Sequence, residues 1–137
     1  MTNDEKCLKR AVELAEVSPE EIGCGVVIVQ KGIVVAEAYN SQKTDNIAVN
    51  HAEIKAIIAA NKLLGTRKLE DATAYCSCEP CTMCLTALSY AKVPRIVFHK
   101  TMKDAFPDDT QSKLDVYEFV KGLNFTPNIE QIADFSH

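Results

Sequence analysis

A three-layer α/β/α sandwich around a mixed five-stranded sheet is the fold class that the 137-residue sequence predicts. Three observations carry it. Two short β-branched runs, residues 25–29 and 32–36, follow one another as a hairpin. Their apolar character is continuous rather than alternating, which calls for cover on both faces of the sheet. Downstream, helical and extended patterns alternate, and strand-to-strand crossovers through helices are expected to be parallel and right-handed. The length suits one domain with one hydrophobic core, spanning residues 1–137.

In chain order, residues 3 to about 17 read as an amphipathic helix. Leu8, Ala11, Val12, Leu14 and Ala15 recur at helical spacing, with Asn3 or Asp4 as the cap. Ser18-Pro19 ends it, because proline disfavours helical geometry in the residue before it. The two β-branched runs are joined by Gln30-Lys31, with Gly32 supplying the turn. Residues 39–50 turn polar and read as a loop that delivers His51 to the next helix, about 51–64. That helix is expected to bury Ile54, Ile57, Ile58 and Ala59 and to stop at Gly65. Residues 72–77 read as a strand, and Pro80 sits where a helix starts. An apolar helix follows to about residue 91, then a strand at 95–98 set off by Pro94. A helix of about 112–121 and a last edge strand or short helix within 125–132 complete the chain.

Bulk properties narrow the function. The composition, 47% hydrophobic and 25% charged, is that of a soluble globular protein, and no apolar run approaches the ~18 residues needed to span a bilayer. The formal net charge of -4 announces no basic face for nucleic acid. The charged N-terminus Met-Thr-Asn-Asp-Glu-Lys carries no apolar signal core, so a reducing cytoplasm is expected. In that compartment the six cysteines (Cys7, Cys24, Cys76, Cys78, Cys81 and Cys84) read first as metal or catalytic groups.

The chemistry concentrates in His51-Ala52-Glu53 and Cys78-Glu79-Pro80-Cys81-Thr82-Met83-Cys84. Catalytic zinc takes three protein ligands and keeps one position open. Cys81 and Cys84, spaced i, i+3, lie on one face of a helix start, where exposed amides favour thiolates. His51 completes the set. Glu53 is then a spare carboxylate for proton transfer. The alternatives are a redox dithiol at Cys81 and Cys84, half of a structural zinc site, or a four-cysteine site from Cys76, Cys78, Cys81 and Cys84. The last is geometrically poor, since so short a segment must also be a strand end and a helix start. H-x-E followed by P-C-x-x-C is the zinc deaminase pattern.

On these residues the chain resembles the cytidine deaminase superfamily of CMP/dCMP-type zinc deaminases. Residues 77–85, Ser-Cys-Glu-Pro-Cys-Thr-Met-Cys-Leu, look most like the guanine deaminase and tRNA adenosine deaminase branch. The resemblance runs from about residue 5 to 110. It implies the same fold, one Zn2+ per subunit and a homodimer. It also implies that Asn40 binds the base and that backbone amides of Ala52 and Cys81 meet the substrate or its oxyanion. Asp108 and Asp109 fall where guanine deaminases carry a purine-reading aspartate. The bland readings are a loop-capping asparagine and a solvated acidic turn.

Ile22-Gly23-Cys24-Gly25 departs from the proline-containing entry to the first strand usual in these enzymes; Cys24 reads as a small pocket or core residue. Phe135 and His137 either close a pocket, across a dimer, or fray as termini. His99 reads as a surface residue, and Tyr90 as a core or base-stacking one. The implied activity is hydrolytic deamination of a free nucleobase, guanine or a related aminopurine first. A cytosine-type pyrimidine, a tRNA wobble adenosine and a non-catalytic zinc-binding module are the alternatives. The partner is thus a small-molecule nucleobase, with nucleic acid and membrane disfavoured.

Overall fold

The computed structural model describes residues 1–107 and 114–135. Its elements are α1 (Asn3–Glu16), β1 (Gly25–Gln30), β2 (Ile33–Tyr39), α2 (Gln42–Asp45), α3 (Ala52–Leu64), β3 (Ala72–Cys78), α4 (Thr82–Tyr90), β4 (Arg95–Lys100), α5 (Met102–Ala105), α6 (Val116–Lys121) and β5 (Asn128–Gln131). The sheet order is β2-β1-β3-β4-β5. β1 pairs antiparallel with β2 and β3, whereas β3–β4 and β4–β5 are parallel. The mixed five-stranded sheet and its parallel crossovers are thus as expected, and residues 125–132 resolve to a strand.

Both faces of the sheet are covered. On one, Leu8, Ala11 and Leu14 of α1 pack on Val27, Tyr75 and Val97. On the other, α3, α4 and α6 enclose the larger core around Val26, Ile28, Ala74, Cys76, Ile96 and Phe98. Successive β1 residues therefore serve opposite cores, which explains the unbroken apolar run. α1 lies so close to the start of β1 that a Cβ on Gly25 would fall 2.0 Å from the Ala11 carbonyl oxygen. Glycine at this position lets the helix sit on the strand.

Local chemistry moves several expected boundaries. Thr2, rather than Asn3 or Asp4, caps α1: its hydroxyl accepts from Glu5 N–H and the Glu5 carboxylate accepts from Thr2 N–H. Asp4 instead receives the Tyr75 hydroxyl at 2.6 Å and the Arg95 guanidinium at 2.9 and 2.6 Å. The hairpin turn is Lys31-Gly32, one residue later than expected, because both adopt positive φ, 52° and 77°, and Gln30 pairs with Ile33. The polar stretch after Tyr39 holds a short helix, α2, and is not all loop. α6 starts at Val116 because the Asp115 side chain accepts from Tyr117 N–H and Glu118 N–H.

The buried stripe of α3 also differs from the expected one. It is Ala52, Glu53, Ala56, Ile57 and Ala60, while Ile58 and Ala59 are exposed. Small residues at i, i+4 and i+8 let the helix approach the sheet, and the isoleucines Ile54 and Ile58 are turned off that line. Among the described residues, no helix is long and apolar enough to cross a membrane.

Candidate active site and metal centre

Two helix starts converge to make the site. His51 is the N-cap residue of α3 and Cys81 that of α4, both extended in backbone, and neither side chain caps its own helix. Cys84 lies in the first turn of α4. The loop before α3 is pinned: Lys55 Nζ donates to the Tyr39 carbonyl at 2.8 Å and to Ser41 Oγ at 2.7 Å. Ser41 and Asn50 both donate to Asp45, at 2.5 and 3.0 Å. Cys84 is fully buried, and Cys81 nearly so.

His51 Nδ1 lies 3.7 Å from Cys81 Sγ and 3.5 Å from Cys84 Sγ, and all three ligand atoms fall within 4.8 Å of one another. Tetrahedral zinc with Zn–S of about 2.3 Å and Zn–N of about 2.0 Å requires donor separations of about 3.5–3.8 Å. The donor set and its spacing fit that ion. Among the described residues this is the one such cluster, so Cys76 and Cys78 stay outside it.

The electrostatics agree with a soft-cation site. The Cys84 S–H lowers the Cys81 thiol to about 4, with His51 adding to the effect. Cys84 is raised by the same hydrogen bond and by burial. His51 is raised, chiefly by its bond to Cys81. These shifts arise from the close approach of the three groups, and metal binding would displace the protons they carry. Glu53, 6% exposed, is pushed up to about 7 by burial, against hydrogen bonds from its own backbone and Cys84.

The adjoining pocket is lined by Cys24, Asn40, Gln42, His51, Ala52, Glu53, Cys78, Glu79 and Phe106. Asn40 is buried there, but its amide is already engaged. Its Oδ1 accepts from Ser18 Oγ at 2.7 Å and Cys24 N–H at 2.8 Å, and its Nδ2 donates to the Ile22 carbonyl at 2.9 Å. The loop-tying role is therefore present, and one N–H of Nδ2 has capacity left. Ala52, fully buried, forms part of the same wall beside Glu53. Asp108, Asp109 and His137 lie outside the described residues.

Other expectations change. Tyr90 lies neither in the core nor in the pocket beside Glu53: it is 79% exposed at the far end of α4. His99 is half-buried and meets the Phe135 ring edge-on at 4.7 Å, and Phe135 packs toward the α1 face. Sequence reasoning missed Gln42, Glu79 and Phe106. Glu79 lies inside the motif and accepts from Met102 N–H at 3.0 Å, tying down α5. Gln42 has a buried Oε1 without a hydrogen-bond partner. Its position two residues after Asn40 was the available signal.

A family model described as the cytidine and deoxycytidylate deaminase zinc-binding region matches residues 1–100. The chain belongs to that family. The matched span of this zinc-binding region includes His51, Cys81 and Cys84, the cluster whose geometry fits zinc. A guanine deaminase of Bacillus subtilis (strain 168) is 47% identical over 100 residues, which are 71% of this chain and 64% of that protein. A tRNA-specific adenosine deaminase of the same strain is 40% identical over 100 residues, 72% of this chain and 62% of that protein. The chain thus spans less than two thirds of the length of these curated relatives. The X-ray structure of a guanine deaminase from Bacillus subtilis superposes with a TM-score of 0.74 at 33% identity, covering 100% of this chain and 86% of that one. The fold is that of the deaminase family.

Proposed function

We propose that this deaminase-family chain, acting as one domain over residues 1–137, hydrolytically deaminates a free nucleobase, with guanine or a related aminopurine as substrate. The observation that carries the reading is Glu53: a buried carboxyl, held near neutrality in its titration, beside a three-ligand zinc centre. Zinc bound there would supply a Lewis acid that lowers the pKa of water from about 15.7 toward ~7. Glu53 accepts a proton of the attacking water and delivers it to a ring nitrogen, then takes the proton of the hydroxyl added to the ring carbon and passes it to the amino group, which leaves as ammonia. The spare N–H of Asn40 and the unpartnered Oε1 of Gln42 offer a donor and an acceptor to the edge of the base. Asp108 and Asp109 are the proposed purine-reading carboxylates. Backbone amides of Ala52 and Cys81 are the proposed oxyanion contacts.

The preference for a free base over RNA rests on charge. Phosphate contacts require Lys and Arg, and this chain carries a net charge of -4. The 40% identity to a tRNA-specific adenosine deaminase favours wobble adenosine as the second reading. Ammonia release from guanine, cytosine, adenine, their nucleosides and a tRNA anticodon stem-loop separates the two. Turnover of guanine is the expected result. Turnover of the stem-loop alone would overturn the substrate assignment, and turnover of cytosine alone would move it to a pyrimidine.

A homodimer in the cytoplasm completes the proposal. Ile54, Ile58, Ala87, Tyr90 and Phe125 line an apolar groove between α3, α4 and the segment after α6. Ile58 is 48% and Tyr90 79% exposed, an apolar area that a second copy would cover. Sedimentation is expected to give a dimer for the wild type and a monomer for Tyr90→Asp. A wild type that sediments as a monomer at micromolar concentration refutes this interface.

A further inference from the structure

The zinc chemistry leaves Cys24 and Cys78 over, and the fold sets them against each other. The antiparallel β1–β3 register pairs Val26 with Cys76. Two residues further along, Cys24 therefore faces Cys78. The backbone of Cys24 is committed to its other neighbour: its carbonyl accepts from Asn40 N–H at 3.1 Å, and its N–H donates to Asn40 Oδ1 at 2.8 Å. Toward β3, Cys24 is thus a non-hydrogen-bonded position, where opposed Cα atoms approach to about 4.5 Å. That separation falls within the range of about 4.4–6.8 Å that a disulfide requires. Both cysteines are free thiols, with their sulfurs 3.0 Å apart.

We propose that Cys24 and Cys78 are a reversible dithiol–disulfide modification site, oxidised by small hydroperoxides. Cys24 and Cys78 both line the pocket that holds Glu53 and His51. Cys78 borders a cleft of about 390 Å³ that is also lined by Ile22, Gly23, Ser77 and His99. The Cys24 S–H donates to Cys78 Sγ, and the Ser77 hydroxyl lies 3.7 Å from the same sulfur. These hydrogen bonds favour the thiolate on Cys78, whose pKa is lowered, and keep the proton on Cys24. The Cys78 thiolate attacks the peroxide O–O bond, forming a sulfenic acid and releasing an alcohol, or water in the case of hydrogen peroxide. Cys24 sulfur then attacks Cys78 sulfur and expels water as the S–S bond forms. Two thiols and one hydroperoxide thus yield one disulfide, one water and the reduced peroxide. Thiol exchange reverses the bond.

The location gives the modification a consequence. Ile22 and Cys24 supply two backbone partners of Asn40, and Cys78 stands three residues before the ligand Cys81. A bridge ties the two walls of the pocket together, and both walls also face Glu53.

Peptide mass mapping of the zinc-loaded full chain after treatment with hydrogen peroxide tests the site. The expected product is a Cys24–Cys78 linked peptide, lighter by two hydrogen atoms, with zinc retained and the linkage lost in dithiothreitol. Cys24→Ser is expected to abolish the linkage and leave a Cys78 sulfenic acid that dimedone traps. If that variant fails to retain zinc, the wild-type map alone decides. A Cys81–Cys84 linkage with zinc release, or bound zinc with Cys24 and Cys78 unlinked, would overturn the proposal. Neither readout needs a deaminase substrate.

Discussion

Replacing Glu53 with glutamine is expected to reduce turnover about a hundred- to ten-thousand-fold while zinc stays bound, the range over which a positioned acid–base group contributes. The substitution keeps the volume of a side chain that is only 6% exposed, so cavity formation does not confuse the result. It also removes a charged form that burial disfavours, and stability at neutral pH is expected to hold or rise slightly. The pH profile provides an independent check. The Glu53 carboxyl is pushed up to about 7, so it loses its proton only as pH rises through that region. A neighbouring divalent cation stabilises the carboxylate and moves that transition downward. Wild-type activity should therefore fall on an acid limb at or below pH 7, and Glu53→Gln should lack that limb. Zinc-replete Glu53→Gln with wild-type turnover would remove Glu53 from its assigned role.

Cys84→Ser is expected to bring zinc from one equivalent per chain to near zero and to abolish activity. Ligand geometry makes the effect large. Cys84 Sγ is 3.5 Å from His51 Nδ1 and fully buried, and among the described residues no other cysteine except Cys81 belongs to the cluster. Metal bound only to the folded chain stabilises it by about 2.7 kcal/mol at a hundredfold excess over Kd. Loss of the ion should lower the thermal midpoint accordingly, and chelation of the wild type should reproduce the shift. Metal analysis with thermal melts of both samples makes the comparison. A full zinc equivalent in Cys84→Ser would mean that Cys76 or Cys78 supplies a ligand, and the three-residue centre would be wrong.

The two motifs were legible because their chemistry is local. Cys81 and Cys84 need only a helix start to share a face, and Pro80 announces one. The hairpin, the alternation of helix and strand, and the mixed sheet also follow from short-range pattern. The α3 stripe did not, because hydrophobicity is a poor guide where a helix must come close to a sheet. Ala52, Ala56 and Ala60 take the inner line, and Ile58 is left outside. Thr2, which is not the first polar residue the pattern suggests, caps α1. Asp4 is drawn instead to Arg95, a residue 91 positions away.

Sequence alone determined the elements of the centre: which residues can hold zinc, which carboxylate is spare, and the kind of sheet that carries them. Tertiary structure decided everything that depends on distant segments meeting. It brought His51 within 3.5–3.7 Å of two thiols some 30 positions away, and it buried Glu53 so that its proton is held near neutrality. It set Asn40 into the hydrogen-bond pattern of the β1 entrance, and it placed Cys24 against Cys78 through the register of β1 and β3. Spacing along a chain fixes what a helix turn can align. Burial, dielectric and cross-strand register are properties of the folded core, and no short stretch of sequence carries them.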